Sequence, residues 1–530
     1  MLVIHNARIH TQNPIHESAT ALAVDHGNIL AVGTDDDILH SFPTRNTFDA
    51  HSCSLIPGLT DAHIHLETYA LSMQRVDCET PNKSECLQKI AHRVLTAHPG
   101  EWILGHGWNQ NAWDDGYGCA KQLDDIAPLN PVYLTHKSLH CAWANSLAMN
   151  IAGIDRNTPN PASGLIGHLS NGEPDGILFE NSMNLVENVI PEPSLEQVVH
   201  AIRSAQPILW KMGLTGVHDF DYNRCFSALQ VMHNSNELKL RVLKSIPLDN
   251  LNNAIDLGLR SGFGNDMLRI GSLKLFSDGA LGPHTAAMLQ PYEDDPHNMG
   301  ILMLDVEQLL EYGQIAVRNG ISLAVHAIGD RANHEVLNAY MHLRELEHSV
   351  QRPSMAQLRH RIEHVQILHP DDVNRLSELN IIASMQPIHA TSDMVMADQF
   401  WGKRAVLAYA WREQITRGAK LIFGSDAPVE SPNPFWGIHA AVSRRRADGS
   451  PSVHGWYPEQ RLYIDEALHA YTTGPAFAAG LEDKVGRLEP GYWADLIILN
   501  KDPFSCLPDD LLNIFPLATM VGGEWVYSEL

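Results

Sequence analysis

His63 and His65 stand two residues apart at the end of an apolar run, Leu55-Ile-Pro-Gly-Leu-Thr-Asp-Ala-His-Ile-His65. Alternate side chains of a strand share a face, so both imidazoles converge on one point and could bind a transition metal. With 30 histidines in 530 residues, the pair alone carries little weight. Lys274 lies on a later apolar stretch, His326 and His364 each end one, and Asp426 ends another. Singly, each reads as a hydrogen-bonded histidine, a salt-bridged lysine or a helix-capping aspartate. Aimed together at one mouth, they must satisfy one another or a cation, because unpaired charges are rarely buried.

The elements that must position them form a repeating pattern. Strand candidates fall at 55–65, 213–219, 240–246, 270–276, 321–326, 358–364, 381–386 and 420–426, and amphipathic segments at 305–318, 331–348 and 369–379 separate the later ones. Eight such units predict an α/β fold, a closed (β/α)8 TIM-type barrel over 55–480 with its site at the C-terminal strand ends. An open doubly wound sheet is the alternative, but no glycine-rich phosphate loop follows any of these strands. Residues 66–210 are far too many for one helix and read as an inserted substrate-access subdomain after strand 1. Residues 1–54 and 481–530 hold short strands, and the reading joins them into one small β-sandwich-like domain built from both termini.

Composition narrows the class. An apolar fraction of 44% and a charged fraction of 19% describe a globular protein with ample core. A net charge of −25 argues against nucleic-acid partners. No run approaches the roughly 20 apolar residues of a membrane helix, and the start lacks a secretory pattern, so no membrane is expected. Seven cysteines without a CxxC pair suit a reducing cytoplasm, with Cys53, Cys78, Cys119 and Cys141 read as small apolar residues. Arg444-Arg-Arg446, the one notable basic run, reads as a solvated helix end.

In order along nearly the whole chain stand Pro57-Gly-Leu-Thr-Asp-Ala-His-Ile-His65, Gly105-His-Gly-Trp-Asn109, Leu273-Lys-Leu-Phe-Ser-Asp-Gly-Ala-Leu-Gly282 and Val325-His-Ala-Ile-Gly-Asp-Arg331. Ile362-Glu-His364, Ser384-Met-Gln-Pro-Ile-His389, Phe423-Gly-Ser-Asp-Ala-Pro428 and Gly491-Tyr-Trp-Ala-Asp-Leu496 follow. With these motifs the sequence resembles the amidohydrolase superfamily, and within it a subgroup that includes N-substituted formamide deformylase. The resemblance implies that His63, His65 and Asp426 hold one divalent metal, with zinc the expected ion. It implies that His326 and His364 hold a second, with Lys274 bridging as an N-carboxylated lysine; one-metal relatives leave the count at one or two ions. Carboxylation needs a neutral amine, which desolvation can supply. The alternative for Lys274 is an ordinary cation paired with Asp278 or Asp426.

The expected reaction is hydrolysis of a C–N bond in a small amide or formamide by metal-activated hydroxide, with Asp426 as acid–base catalyst. His326 or His364 could instead stabilise the oxyanion in a one-metal site. A lactone or phosphoester hydrolase on the same barrel, or a non-catalytic relative, are the alternative functions. Substrate contacts are expected from Trp108, Asn109 and His140 in the insertion, from Asp278 and His284 after strand 4, from Arg331 and from Gln386 and His389. His284 stands in Gly282-Pro-His-Thr-Ala286, where the subgroup often carries Gly-Ser-Arg-Thr-Ala. Arg331 could bind a carboxylate or pair with Asp330. Trp102 and Tyr133 read as the insertion's own core, and a homodimer is expected from the superfamily.

Overall fold

The computed structural model describes residues 1–13, 18–110, 113–137, 141–162, 164–349 and 357–530. The chain folds into two compact units, one made of Met1–Tyr69 with Ile202–Leu530 and the other of Ala70–Ala201.

In the first unit eight parallel strands follow one another around a barrel: β1 Leu59–Ile64, β2 Leu214–Asp219, β3 Arg241–Pro247, β4 Leu268–Phe276, β5 Leu323–Ala327, β6 Arg361–His364, β7 Ile382–Met385 and β8 Lys420–Phe423. Helices such as Asn223–Asn234, Val306–Arg318 and Asp330–Ser349 follow the strands. Apolar residues fill the strands on both faces, which is the pattern that parallel sheets covered by helices require. The barrel closes at the strand tips: Ile64 bridges Ala427, His65 N–H donates to the Ala427 carbonyl at 3.0 Å, and Asp426 N–H donates to the His63 carbonyl at 2.7 Å. The seam that closes the sheet therefore carries His63, His65 and Asp426. Asp61 ties the same seam, accepting from His63 N–H, Ser425 N–H and Ser425 Oγ–H.

Close approach at this seam depends on Gly424. A Cβ there would lie 2.4 Å from the His63 nitrogen and 2.7 Å from Asp61 Oδ1. Gly424→Ala must push β1 and β8 apart, and the expected cost is about 1–3 kcal/mol. A melting temperature equal to wild type would show that the seam has room for a side chain.

The run over 55–65, expected as one strand, is two. Ser54–Pro57 belongs to a six-stranded sheet with Arg8–His10, Ser18–Ala19, Leu496–Leu499, Pro516–Val521 and Glu524–Ser528, and only Leu59–Ile64 enters the barrel. Pro57 has no N–H for a ladder; Gly58 makes the last bond of this pairing, to the Asp495 carbonyl at 3.0 Å, and Leu59 N–H then donates to the Gly213 carbonyl at 3.1 Å in the barrel. A four-stranded sheet of Leu2–His5, Ala21–Asp25, Asn28–Gly33 and Thr47–Asp49 faces this one across a shared core that includes Ile4, Leu22, Leu55, Leu496, Ile498 and Met520. Two sheets around one core make a sandwich, and both chain ends contribute to it.

Arg444 is not a solvated helix end. Its guanidinium lies 4.6 Å from the Trp411 ring and 4.7 Å from that of Trp456, donating to the Trp456 and Tyr409 carbonyls at 2.8 Å each. Arginine is weakly hydrated and stacks well on indole, which offsets the loss of water.

The second unit is built on a six-stranded sheet in the order Gly164–His168, Pro174–Glu180, Cys141–Ala144, Val132–His136, Ile103–Trp108, Val76–Asp77. One of its cores collects Trp108, Trp113 and Trp143 around Leu123 and Leu134. The other holds Tyr133 with Trp102 packed against it. Among the described residues, no helix is long and apolar enough to cross a membrane.

Candidate metal centre

The centre grows from the C-terminal tips of β1, β6 and β8. His63 and His65 share a face of the chain leaving β1, and their Nε2 atoms each stand 3.4 Å from Asp426 Oδ1. The opposite nitrogens are engaged: His63 Nδ1–H donates to Glu363 Oε2 at 2.6 Å and His65 Nδ1–H to Asp221 Oδ1 at 3.3 Å. With the protons on Nδ1, both Nε2 lone pairs face a carboxylate oxygen. Three electron-rich atoms in that arrangement repel one another unless a positive charge sits among them. Donors about 2.1 Å from a tetrahedral ion stand about 3.4 Å apart, so the spacing suits zinc or a similar cation.

Protonation tells the same story. Burial, with the nearby Lys274 charge, pushes the His63 pKa down to about 4, leaving a neutral imidazole. Burial also works against charge on His65, but Asp221 and Asp426 outweigh it and raise its pKa to about 9. Burial works against charge on Asp426 as well, yet His63 and His65 hold it well below the usual carboxylate range. At neutral pH the second proton on His65 supplies the positive charge among these atoms, and a metal bound there would displace it.

Sequence reasoning missed the residues that orient these imidazoles. Glu363 is fully buried and accepts from the Arg361 guanidinium as well as from His63. Arg361 also donates to the Ala62 carbonyl at 2.6 Å and Ser384 Oγ at 2.7 Å, and meets His218 Nδ1 at 2.9 Å. Asp221 accepts from the Glu67 and Thr68 backbone N–H groups and the Thr68 hydroxyl, fixing the turn that carries His65. A carboxylate behind each imidazole sets its tautomer and orientation. The available signals were Glu363 beside His364 and an aspartate just past the second strand.

Lys274 on β4 is buried between the rings of Phe220 and Phe276, its Nζ 4.6 and 4.8 Å from their centroids. Among the described residues it makes no ion pair within 4.0 Å, and the Glu363 and Asp426 charges act on it from farther away, favouring its protonated form. Burial lowers its pKa to about 8, so the neutral amine is within reach at physiological pH. Asp278, expected at the substrate, instead accepts from the Ala287, Ile328 and Gly329 backbone N–H groups and ties the β4 loop to β5.

His326 donates from Nε2 to the Gly279 carbonyl at 2.9 Å, and its ring centroid is 4.4 Å from that of His364. His364 is buried with Nδ1 lacking a hydrogen-bond partner, and it holds φ at +77°, as Asp426 holds +59°. Left-handed backbone at non-glycine residues costs about 1–3 kcal/mol and clusters at functional sites. His364, His389 and Asp426 form a second group whose donor atoms lie within 4.8 Å of one another. A third group, Asp219, Asp221 and Cys225, is engaged elsewhere: Lys244 Nζ reaches Asp219 Oδ2 at 2.9 Å and Asp221 Oδ1 faces His65 Nδ1 at 3.3 Å.

The other expected contacts divide. Gln386 is 1% exposed and its Nε2 has no hydrogen-bond partner. His284 is held by Asp294 at 3.1 Å and by the Phe400 and Tyr292 rings. Arg331 makes no ion pair with Asp330, whose Oδ1 accepts the Leu289 N–H, so of its two readings the pairing falls away. Trp108 is not a surface contact: it is fully buried in its own unit and its Nε1–H donates to the Leu134 carbonyl at 2.9 Å. A register shift between His106 and Trp108 turns the indole into the core. Asn109 follows that strand half-buried, and His140 lies outside the described residues.

A barrel with imidazole and carboxylate donors at its C-terminal rim defines a metal-dependent hydrolase architecture. The chain belongs to the amidohydrolase family, whose model matches residues 46–527. It is 33% identical to protein LONG AFTER FAR-RED 3 of Arabidopsis thaliana, over 99% of this chain and 91% of that protein. It is 28% identical to N-substituted formamide deformylase of Arthrobacter pascens, covering 99% of this chain and 98% of the other. An uncharacterized metal-dependent hydrolase from Pyrococcus furiosus shares 27% identity with a TM-score of 0.78, covering 95% of this chain and all of that one.

Proposed function

We propose that this hydrolase cleaves the C–N bond of a small amide or formamide, with zinc held by His63, His65 and Asp426. The observation that carries the reading is the division of labour within Asp426. Its Oδ1 faces both Nε2 atoms, while Oδ2 turns away toward His389 Nε2 at 4.0 Å. One oxygen is placed to bind the cation and the other is left to take a proton. A bound divalent cation supplies Lewis acidity, activating water and polarising a carbonyl. Asp426 Oδ2 takes the proton of the attacking water and returns it to the departing amine nitrogen. Gln386 Nε2, a buried donor without a partner, binds the acyl oxygen. Glu363 and Asp221 keep the ligating nitrogens aimed. The formamide deformylase among the relatives supports a C–N bond as the one cut. The free cysteines among the described residues suit the cytoplasm.

A hydrolysis screen of zinc-loaded protein against N-formyl amines, N-acyl amines, lactones and phosphotriesters tests the reading. Turnover is expected with the first two, and lactone or phosphotriester turnover exceeding theirs overturns it. Lys274, in the same reading, works as its N-carboxylated form. Lys274→Ala is expected to lose metal and activity, with partial recovery in formate or acetate. Failure of every small carboxylic acid to restore zinc binding would sink the carbamate.

A further inference from the structure

We propose that Lys244 is a positioning residue of the metal centre, its buried ammonium clamping Asp219 and Asp221 so that His65 Nε2 stays aimed at the cation. The proposal rests on the metal reading above and gives a role to a buried charge that the mechanism does not use.

The clamp follows from strand register. Lys244 on β3 pairs with Asp219 on β2, and side chains paired across parallel strands share a face. His218, one residue earlier, meets Arg361, and neighbours along a strand face opposite ways. Asp219 and Lys244 therefore lie on the other face of β2 and β3. There Cys225 of the helix Asn223–Asn234 donates from Sγ–H to Asp219 Oδ2 at 3.4 Å. Lys244 and Asp219 are 2% and 0% exposed. Burial works against the lysine charge, but Asp219 outweighs it and holds the pKa above the usual value.

From this ammonium the contacts run to His65. Lys244 Nζ reaches Asp219 Oδ2 at 2.9 Å and donates to the Asp221 carbonyl. Asp219 Oδ1 accepts the Leu66 N–H at 2.8 Å. Asp221 Oδ2 accepts the Glu67 and Thr68 N–H groups at 2.6 and 3.1 Å, and its Oδ1 faces His65 Nδ1 at 3.3 Å. Three successive N–H groups after His65 thus end on two carboxylates joined by one cation. They open the helix Leu66–Ser72, where N–H groups have no partner within the helix. An ion pair serving the fold alone would need only Asp219, whereas the bond to the Asp221 carbonyl also fixes the residue behind His65. Oxygens of the two carboxylates lie within 4.8 Å of each other, so without the ammonium they repel and Asp221 shifts against His65.

The test is zinc affinity of the full chain, measured by competition with a chromophoric chelator beside melting curves that establish folding. Lys244→Met keeps the bulk and removes the charge, and it is expected to bind zinc about tenfold more weakly than wild type. In an Asp221→Asn background the same change should cost about twofold at most, because the carboxylate that faces His65 is already neutral. Wild-type affinity in Lys244→Met, or the tenfold loss repeated in that background, overturns the proposal. A cavity of about 170 Å³ borders Lys244, lined also by Phe226, Ile246, Asn253 and Ile270. Lys244→Ala should therefore admit ethylammonium, and its zinc affinity should recover severalfold over that in equal sodium chloride. No recovery, or failure of both variants to fold, makes Lys244 a residue of the fold alone and overturns the proposal. A wild type that binds no zinc sinks the metal reading itself, and the proposal falls with it.

Discussion

Asp426→Asn is expected to lower kcat by about 10³-fold or more while leaving the fold in place. General acid–base catalysis alone contributes about 10²–10⁴-fold, and Asn lacks the basic oxygen that takes the water proton. The amide also weakens the cation site, because the negative charge facing His63 and His65 is gone. Stability should change little, for reasons particular to this position. Asn tolerates the left-handed φ of +59° as readily as Asp does. The backbone N–H that donates to the His63 carbonyl is untouched, so the barrel seam stays closed. Steady-state kinetics beside a thermal melt decide the matter. Wild-type turnover in a folded variant would remove Asp426 from the mechanism.

Glu363→Gln is expected to damage both stability and metal binding. Glu363 is fully buried, and its charge is held well below the usual range, against burial, by Arg361 and His63. Neutralising it strands the Arg361 guanidinium, itself 2% exposed, without an anion. Breaking one partner of a buried pair costs about 3–5 kcal/mol, because the other charge remains desolvated. In either orientation the amide sets its NH2 against a donor of Arg361 or His63, so it cannot hold both as a carboxylate does. Zinc affinity should therefore fall about 10–100-fold, the usual effect of losing the group behind a ligating imidazole. Urea unfolding and a zinc titration measure the two effects separately. Unchanged stability with unchanged affinity would make the Arg361–Glu363–His63 contact incidental.

The two variants differ in what they reveal. The first removes the group that moves the proton and spares the scaffold. The second spares every atom that touches the cation and disturbs only what aims one of them. A larger catalytic loss in the first, beside a larger stability loss in the second, is the combined signature of this arrangement.

Much of the site was legible along the chain because its chemistry is local. The spacing of His63 and His65 places both on one face of a strand, and apolar runs ending in His326, His364 and Asp426 mark strand tips. The eight runs were enough to imply a barrel, since period and spacing follow from backbone geometry. What sequence order could not supply was pairing across distance. Glu363 meets His63 from 300 residues away and Asp221 meets His65 across 156. Neither contact leaves a trace in local spacing. Trp108 shows the same limit: motif context favours a substrate contact, and the register shift places it in its own unit's core. The sequence by itself determined the donor types and the strands that carry them. Only barrel closure, which sets β1 against β8 and lets Glu363 on β6 reach His63 on β1, decided which lone pairs face one another. Lone pairs forced together are what create a cation site.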